Sequence, residues 1–192
     1  GTDINKVYFS LGYLGDKGFN RNTDFSRYTS RLAYDSKMYS WLDFSTSAQF
    51  SATESNWSQT GSSYTNSFQW TRDIAPIYPI YLTDANGSVI TDKGQRLYDF
   101  GEIQTGVNEA RAYGAKSNPV ATQDKDIDNN KDYYLIQNAN LKIKLPYNIT
   151  FNTTQTASGN WYSYNSYTTP TGGSGLAYNG ISNKQKTQTV SM

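Results

Sequence analysis

With 192 residues the chain is long enough for one domain, yet only 36% of it is hydrophobic, below the ~45–50% usual in globular proteins. A net charge of +1 gives no electrostatic case for nucleic acid, and the absence of Cys and His removes disulfides, thiol chemistry, zinc sites with sulfur or nitrogen ligands and every His-based triad. The 17 Tyr, 8 Phe and 4 Trp supply much of the apolar area, and strand-forming residues recur at regular spacing, which suits a β-protein wetted on one face and does not suit disorder.

In chain order, Val7, Phe9, Leu11 and Tyr13 alternate with Tyr8, Ser10 and Gly12 and predict a first strand. Gly15-Asp16-Lys17-Gly18 and the polar run to Asp24 turn the chain. Two further runs follow. Tyr28, Ser30, Leu32 and Tyr34 alternate with Arg27, Thr29, Arg31, Ala33 and Asp35. Leu42, Phe44, Thr46, Ala48, Phe50 and Ala52 alternate with Asp43, Ser45, Ser47, Gln49, Ser51 and Thr53, after a short connection at 36–41. The wet face carries charge, hydroxyls and an amide; the apolar face has aromatics at or near its ends, Tyr28, Tyr34, Trp41 and Phe50. Polar-in, apolar-out strands with terminal aromatics fit a transmembrane barrel better than a sandwich core.

Residues 57–131 interrupt this pattern, far beyond the ~12–15 residues at which structureless loops become uncommon. The excursion must fold on itself or dock on a partner. Ser62–Asp73 predicts a short helix stopped by Ala75-Pro76, and Asp84-Ala85-Asn86-Gly87 a turn between Tyr81-Leu82 and Val89-Ile90, hence a small hairpin. The remainder, 99–130, is glycine-rich and polar. Alternation returns at Asp132, with Tyr133, Leu135, Ala139, Leu141, Ile143 and Leu145 opposite Asn138, Asn140, Lys142 and Lys144. Pro146-Tyr147-Asn148 makes a tight turn into Ile149, Phe151, Thr153 and Ala157; a second loop spans 161–183, and a last strand starts near Lys184.

Short connections at 36–41 and 146–148 thus alternate with longer ones at 15–24, 57–131 and 161–183. Outer-membrane barrels place short turns on the periplasmic side and long loops outside. The expected fold is all-β: about six antiparallel strands of a transmembrane β-barrel, open in this segment, with a long extracellular loop holding a helix and a hairpin. Gly1 lacks a preceding Met or leader and Val190-Ser191-Met192 stops inside an alternating run, so the chain reads as a piece of something larger.

Tyr8-Phe9-Ser10-Leu11-Gly12-Tyr13, Asp24-Phe25-Ser26-Arg27-Tyr28-Thr29, and Asp35-Ser36-Lys37 before Trp41-Leu42 resemble mid-barrel strands of the SusC/RagA-like TonB-linked outer-membrane transporters. Asn56-Trp57-Ser58-Gln59-Thr60, Ala75-Pro76-Ile77-Tyr78-Pro79-Ile80-Tyr81 and Tyr98-Asp99-Phe100-Gly101 resemble the same family's extracellular region. The resemblance covers nearly the whole chain and only a minority of a family member. It implies a large plugged barrel in the bacterial outer membrane, a SusD-like surface lipoprotein lid, energy from the TonB complex, and glycan or peptide cargo too large for porins. It implies nutrient uptake, with no cofactor. The alternative is a secreted β-rich glycan-binding or adhesin module, in which Leu11, Phe44, Phe50, Leu141 and Phe151 pack on a second sheet.

Candidate contact residues for sugar rings or a protein partner are Trp57, Tyr64, Trp70, Tyr78, Tyr81, Trp161, Tyr162 and Tyr164, since exposed aromatics are efficient contact groups. The competing reading packs Tyr78 and Tyr81 inside the folded loop and makes Trp161 a lipid-interface anchor. Arg27, Arg31, Asp35, Lys142 and Lys144 are expected to face the lumen, steering anionic cargo or pairing with carboxylates of a plug or neighbouring strand. Asp124, Asp126, Asp128, Asn130 and Asp132 follow the first part of a calcium loop, but Asn129 stands where the glycine belongs and Leu135 where the last acid belongs. A solvated acidic loop is the ordinary reading, and calcium at Asp124, Asp126 and Asp128 the alternative. Nothing positions an acid against a base, so no enzyme is expected.

Overall fold

The computed structural model describes residues 2, 4–58, 65–102, 110–170 and 178–192. Six strands form one antiparallel sheet: β1 (Asn5–Lys17), β2 (Asp24–Tyr39), β3 (Leu42–Asn56), β6 (Ile127–Lys144), β7 (Thr150–Thr168) and β8 (Ile181–Ser191), in the order β1-β2-β3-β6-β7-β8. The sheet is open, with β1 and β8 at its edges. Every neighbouring pair is antiparallel, so the connections at 18–23, 57–126 and 169–180 leave from one end of the sheet and those at 40–41 and 145–149 from the other.

The register keeps the two faces apart across the sheet. Phe9 lies opposite Leu32, Tyr13 opposite Tyr28, Phe44 opposite Leu141 and Ile143 opposite Phe151, all on one face. On the other face Arg31 lies opposite Gln49, Asp35 opposite Ser45 and Asn140 opposite Thr154. A slip of one residue would exchange the two sets. The polar face is tied by side chains across β6 and β7: Asn140 Nδ2 donates to Thr154 Oγ1 at 2.8 Å, Thr156 Oγ1 to Asn138 Oδ1 at 2.8 Å and Asn160 Nδ2 to Asp132 Oδ1 at 2.6 Å. The apolar face stays open. Leu11 is 73% exposed and Phe9 61%, and none of the buried hydrophobic residues among those described lies in this sheet.

Several boundaries differ from the sequence pattern: β1 runs through Gly15 and Asp16 to Lys17, where a turn was expected, because each pairs with β2, and β8 begins at Ile181 rather than near Lys184. β6 begins at Ile127 rather than at Asp132, although Asp and Asn are poor strand formers. Pairing on both sides outweighs that preference: Asn129 lies opposite Asn56 and Asn165, and its Nδ2 reaches Asn56 Oδ1 at 2.8 Å. β7 runs on to Thr168, held by Ile127 opposite Tyr167 and Ile181 opposite Thr168, so the loop expected from 161 begins after 168. β2 likewise reaches Tyr39, with a register shift between Lys37 and Tyr39, and the turn contracts to 40–41. There Tyr39 stacks on Trp41 at 5.4 Å between ring centres.

The excursion holds the buried apolar core: Ile74, Leu82 and Ala121. Helix α1 (Ser67–Asp73) is capped by Asn66, whose side chain accepts from Phe68 N. The hairpin turn at 84–87 forms as expected, with Asp84 Oδ1 accepting from the amides of Asn86 and Ser88 and Gly87 at φ 82°. A second short hairpin, β4 (Thr91–Asp92) and β5 (Gln95–Arg96), turns through Lys93 and Gly94 at positive φ. Helix α2 (Pro119–Lys125) was not expected from the composition of 99–130. Its start is written in Asn118-Pro119, a capping side chain followed by the residue that best tolerates the first helical position.

Candidate functional site

Asn118 is the joint of the excursion. It is 2% exposed; its Oδ1 accepts from Val120 N and Ala121 N at 3.1 Å each, and its Nδ2 donates to Ile80 O at 2.8 Å and Asp99 O at 2.9 Å. One side chain therefore starts α2 and ties it to the two extended segments in front of it. Arg111, 4% exposed, is the second joint. Its guanidinium lies 4.6 Å from the Trp70 ring centre and 5.9 Å from that of Tyr78, and its Nη2 donates to Ser117 O at 2.7 Å. Burial lowers its pKa while Asp99 opposes the shift.

The β1–β2 connection clasps this unit. Phe19 meets the Phe68 ring edge-on at 5.5 Å, Asn20 Nδ2 donates to Ser58 Oγ at 3.0 Å, Arg21 pairs with Asp124 at 3.2 Å, and Asn22 Nδ2 donates to Gln123 O at 2.7 Å. Tyr98 Oη donates to the same Asp124 carboxylate at 2.7 Å; burial first, and that carboxylate second, raise the phenol's pKa.

Two adjoining clefts result. One, of about 380 Å³, has Phe19, Trp70, Tyr78, Pro79, Ile80 and Pro119 in its wall. The other, of about 410 Å³, is lined by Trp57 and by Asp24, Asp124, Asp126 and Asp128. Arg21 and Gln123 belong to both and form the partition, and Gln123 Nε2 is fixed there by donating to Ser67 Oγ. The first cleft offers flat apolar faces, the second negative charge.

The predicted contact residues do not converge. Trp70 and Tyr78 share the aromatic cleft, and Trp57 lies in the acidic one, its Nε1 donating to Ser55 Oγ at 2.9 Å. Tyr81 instead pairs with Tyr98, ring centres 5.1 Å apart, beneath Arg96. Tyr64 lies outside the described residues. Trp161, Tyr162 and Tyr164 sit on β7 rather than in a loop, and alternation splits them. Trp161 shares the apolar face with Tyr133, while Tyr162 lies on the polar face and donates to Asn130 Oδ1 at 2.7 Å.

Arg27, Arg31, Asp35, Lys142 and Lys144 do share the polar face, where Lys144 pairs with Asp43 at 3.0 Å. The three aspartates considered for calcium separate in role. Asp124 on α2 holds Arg21, Asp126 caps that helix and accepts from Thr169 N at 2.9 Å, and Asp128 on β6 accepts from Tyr164. Among the described residues no group of three or more acidic ligands could hold a metal ion. Phe19, Asn118 and Arg111 escaped sequence reasoning. Asn118-Pro119 carried a readable signal, but a phenylalanine in a polar run and an isolated arginine carried none.

No protein-family model matches the chain, and no curated protein matches it.

Proposed function

We propose that this chain is a mid-barrel part of a SusC/RagA-like TonB-linked transporter of the bacterial outer membrane, an active importer of glycans or peptides. In this reading the excursion and the clefts stand outside the cell, under a SusD-like lipoprotein, and the TonB complex powers uptake through other parts of the protein. The observation that carries the reading is the open sheet with one exposed apolar face, one polar face, and all its longer connections at one end. Its strands have 11 to 19 residues, at or above the ~9–11 a tilted strand needs to cross a bilayer. The apolar side would then meet lipid and the side carrying Arg31, Ser47 and Asn138 the watery interior.

A soluble sandwich would need a second layer over Leu11, Phe44, Phe50, Leu141 and Phe151. The test is labelling of single cysteines in the full-length protein in cells. Phe44→Cys and Leu141→Cys should react with a lipid-phase reagent only, and Ser47→Cys and Asn138→Cys with a water-soluble maleimide. Labelling of Phe44→Cys and Leu141→Cys by the water-soluble reagent, with the protein recovered in buffer without detergent, overturns the reading.

A further inference from the structure

We propose that Lys184 and Lys186, on the apolar face of β8, hold the phosphate of an anionic lipid headgroup at the rim of the membrane. The proposal rests on the reading above in taking that face of the sheet to meet lipid.

The register sets the depth. Tyr13, Tyr28, Tyr133 and Trp161 fall in one row across the apolar face, with Ala52 between the second and third. Gln188 ends that row on β8. Two of the rings have a defined direction along their strands. The six-membered ring of Trp161 lies over Gly159, and the hydroxyl end of the Tyr13 ring lies over Gly15. Gly159 shares its row with Leu135 and Phe50, whereas Gly15 shares its row with Ser26 and Glu54. Trp161 therefore turns its hydrocarbon toward the apolar rows, and Tyr13 turns its hydroxyl toward the polar ones. Aromatic side chains take this orientation at the level of the headgroups.

Beyond that row, toward the longer connections, the same face becomes charged. Lys131 pairs with Glu54 at 3.0 Å, and Lys17 lies opposite Asp24. Lys184 and Lys186 have no such counterpart. They lie opposite Asn165 and Ser163, and they are the only charged side chains in 145–192. Among the described residues no carboxylate pairs with either. Two residues apart on one strand face, they stand about 7 Å from each other, and Lys186 stands about 7 Å along the strand from the aromatic row. Their flexible stems let both ammonium groups converge on one phosphate at that depth. Cargo inside the barrel would not meet this face, so the complementary anion is the lipid itself.

The experiment uses the purified full-length protein with Gln188→Cys, an exposed position on the same face, labelled with bimane. It is reconstituted in vesicles of phosphatidylcholine with phosphatidic acid as the minor lipid, one or the other brominated in its chains. Quenching per brominated lipid reads the local composition. Phosphatidic acid should be enriched about fivefold at the label, and high salt should erode the preference. Lys184→Gln together with Lys186→Gln should bring the ratio close to one. Lys184→Arg together with Lys186→Arg should keep it, which separates charge from any effect on folding. Equal quenching by the two lipids, or a preference that survives the glutamine pair, overturns the proposal. The membrane reading then still stands, because the label meets acyl chains. A label that neither lipid quenches overturns both.

Discussion

The Arg111 guanidinium lies 4.6 Å from the centre of the Trp70 ring, so a buried cation late in the excursion fixes a residue of its first helix. The guanidinium is planar, and with Tyr78 on the same group it sets the angle of the aromatic wall. Arg111→Lys keeps the charge but not the flat face. We expect it to destabilise the excursion by about 1–2 kcal/mol, read as faster limited proteolysis within 65–126 while the sheet stays protected.

Gly101 tests the same packing from the other side. It holds φ 69°, and a β-carbon there would run into Arg111 Nε. Gly101→Ala should cost at least about 1 kcal/mol through the left-handed backbone alone, with the guanidinium displaced besides. If amide exchange within 65–126 is unchanged in this variant, the joint is not where we place it.

Asn118→Ala removes two cap bonds and one donor from each of Ile80 O and Asp99 O, which keep Asp99 N and Arg111 Nη2 as partners. A loss of about 1–2 kcal/mol in the excursion is expected. Asn118→Asp, which keeps the acceptor and loses the donor, should recover only part of it. Hydrogen exchange of Val120 and Ala121 amides separates the two contributions.

The sheet faces make opposite predictions. Phe50→Lys, on the apolar face near the middle of β3, should cost about 2–4 kcal/mol of folding in a bilayer, and Ser47→Lys close to nothing, measured as the folded fraction in urea titrations of the full-length protein in vesicles. Equal effects at the two positions would contradict a lipid-facing side.

Asp126 gives a pH dependence with a definite sign. Burial raises its carboxyl above the usual range, although the Thr169 amide opposes this. The folded protein therefore holds this proton at pH values where the unfolded chain has released it. Stability falls as pH rises from about 3.9, the ordinary value, through the raised one. Asp126→Asn keeps an oxygen for the Thr169 amide and removes the titration, so amide exchange at Thr169 should lose this pH dependence.

Alternation by itself determined the six strands, which side chains share a face, and the long and short connections, because a period of two survives in any sheet whose faces meet different surroundings. Local turn chemistry, as in Asp84 to Gly87, was equally legible. The tertiary structure alone decided how far strands extend and what meets in the clefts. Asn129 and Trp161 are in strands because both neighbours pair with them, and pairing is not encoded in the residues of one segment. Phe19, Trp70 and Tyr78 meet because Asn118, Arg111 and the Arg21–Asp124 pair fold the excursion back onto the β1–β2 connection. Such contacts join side chains far apart in sequence, and no spacing along the chain announces them.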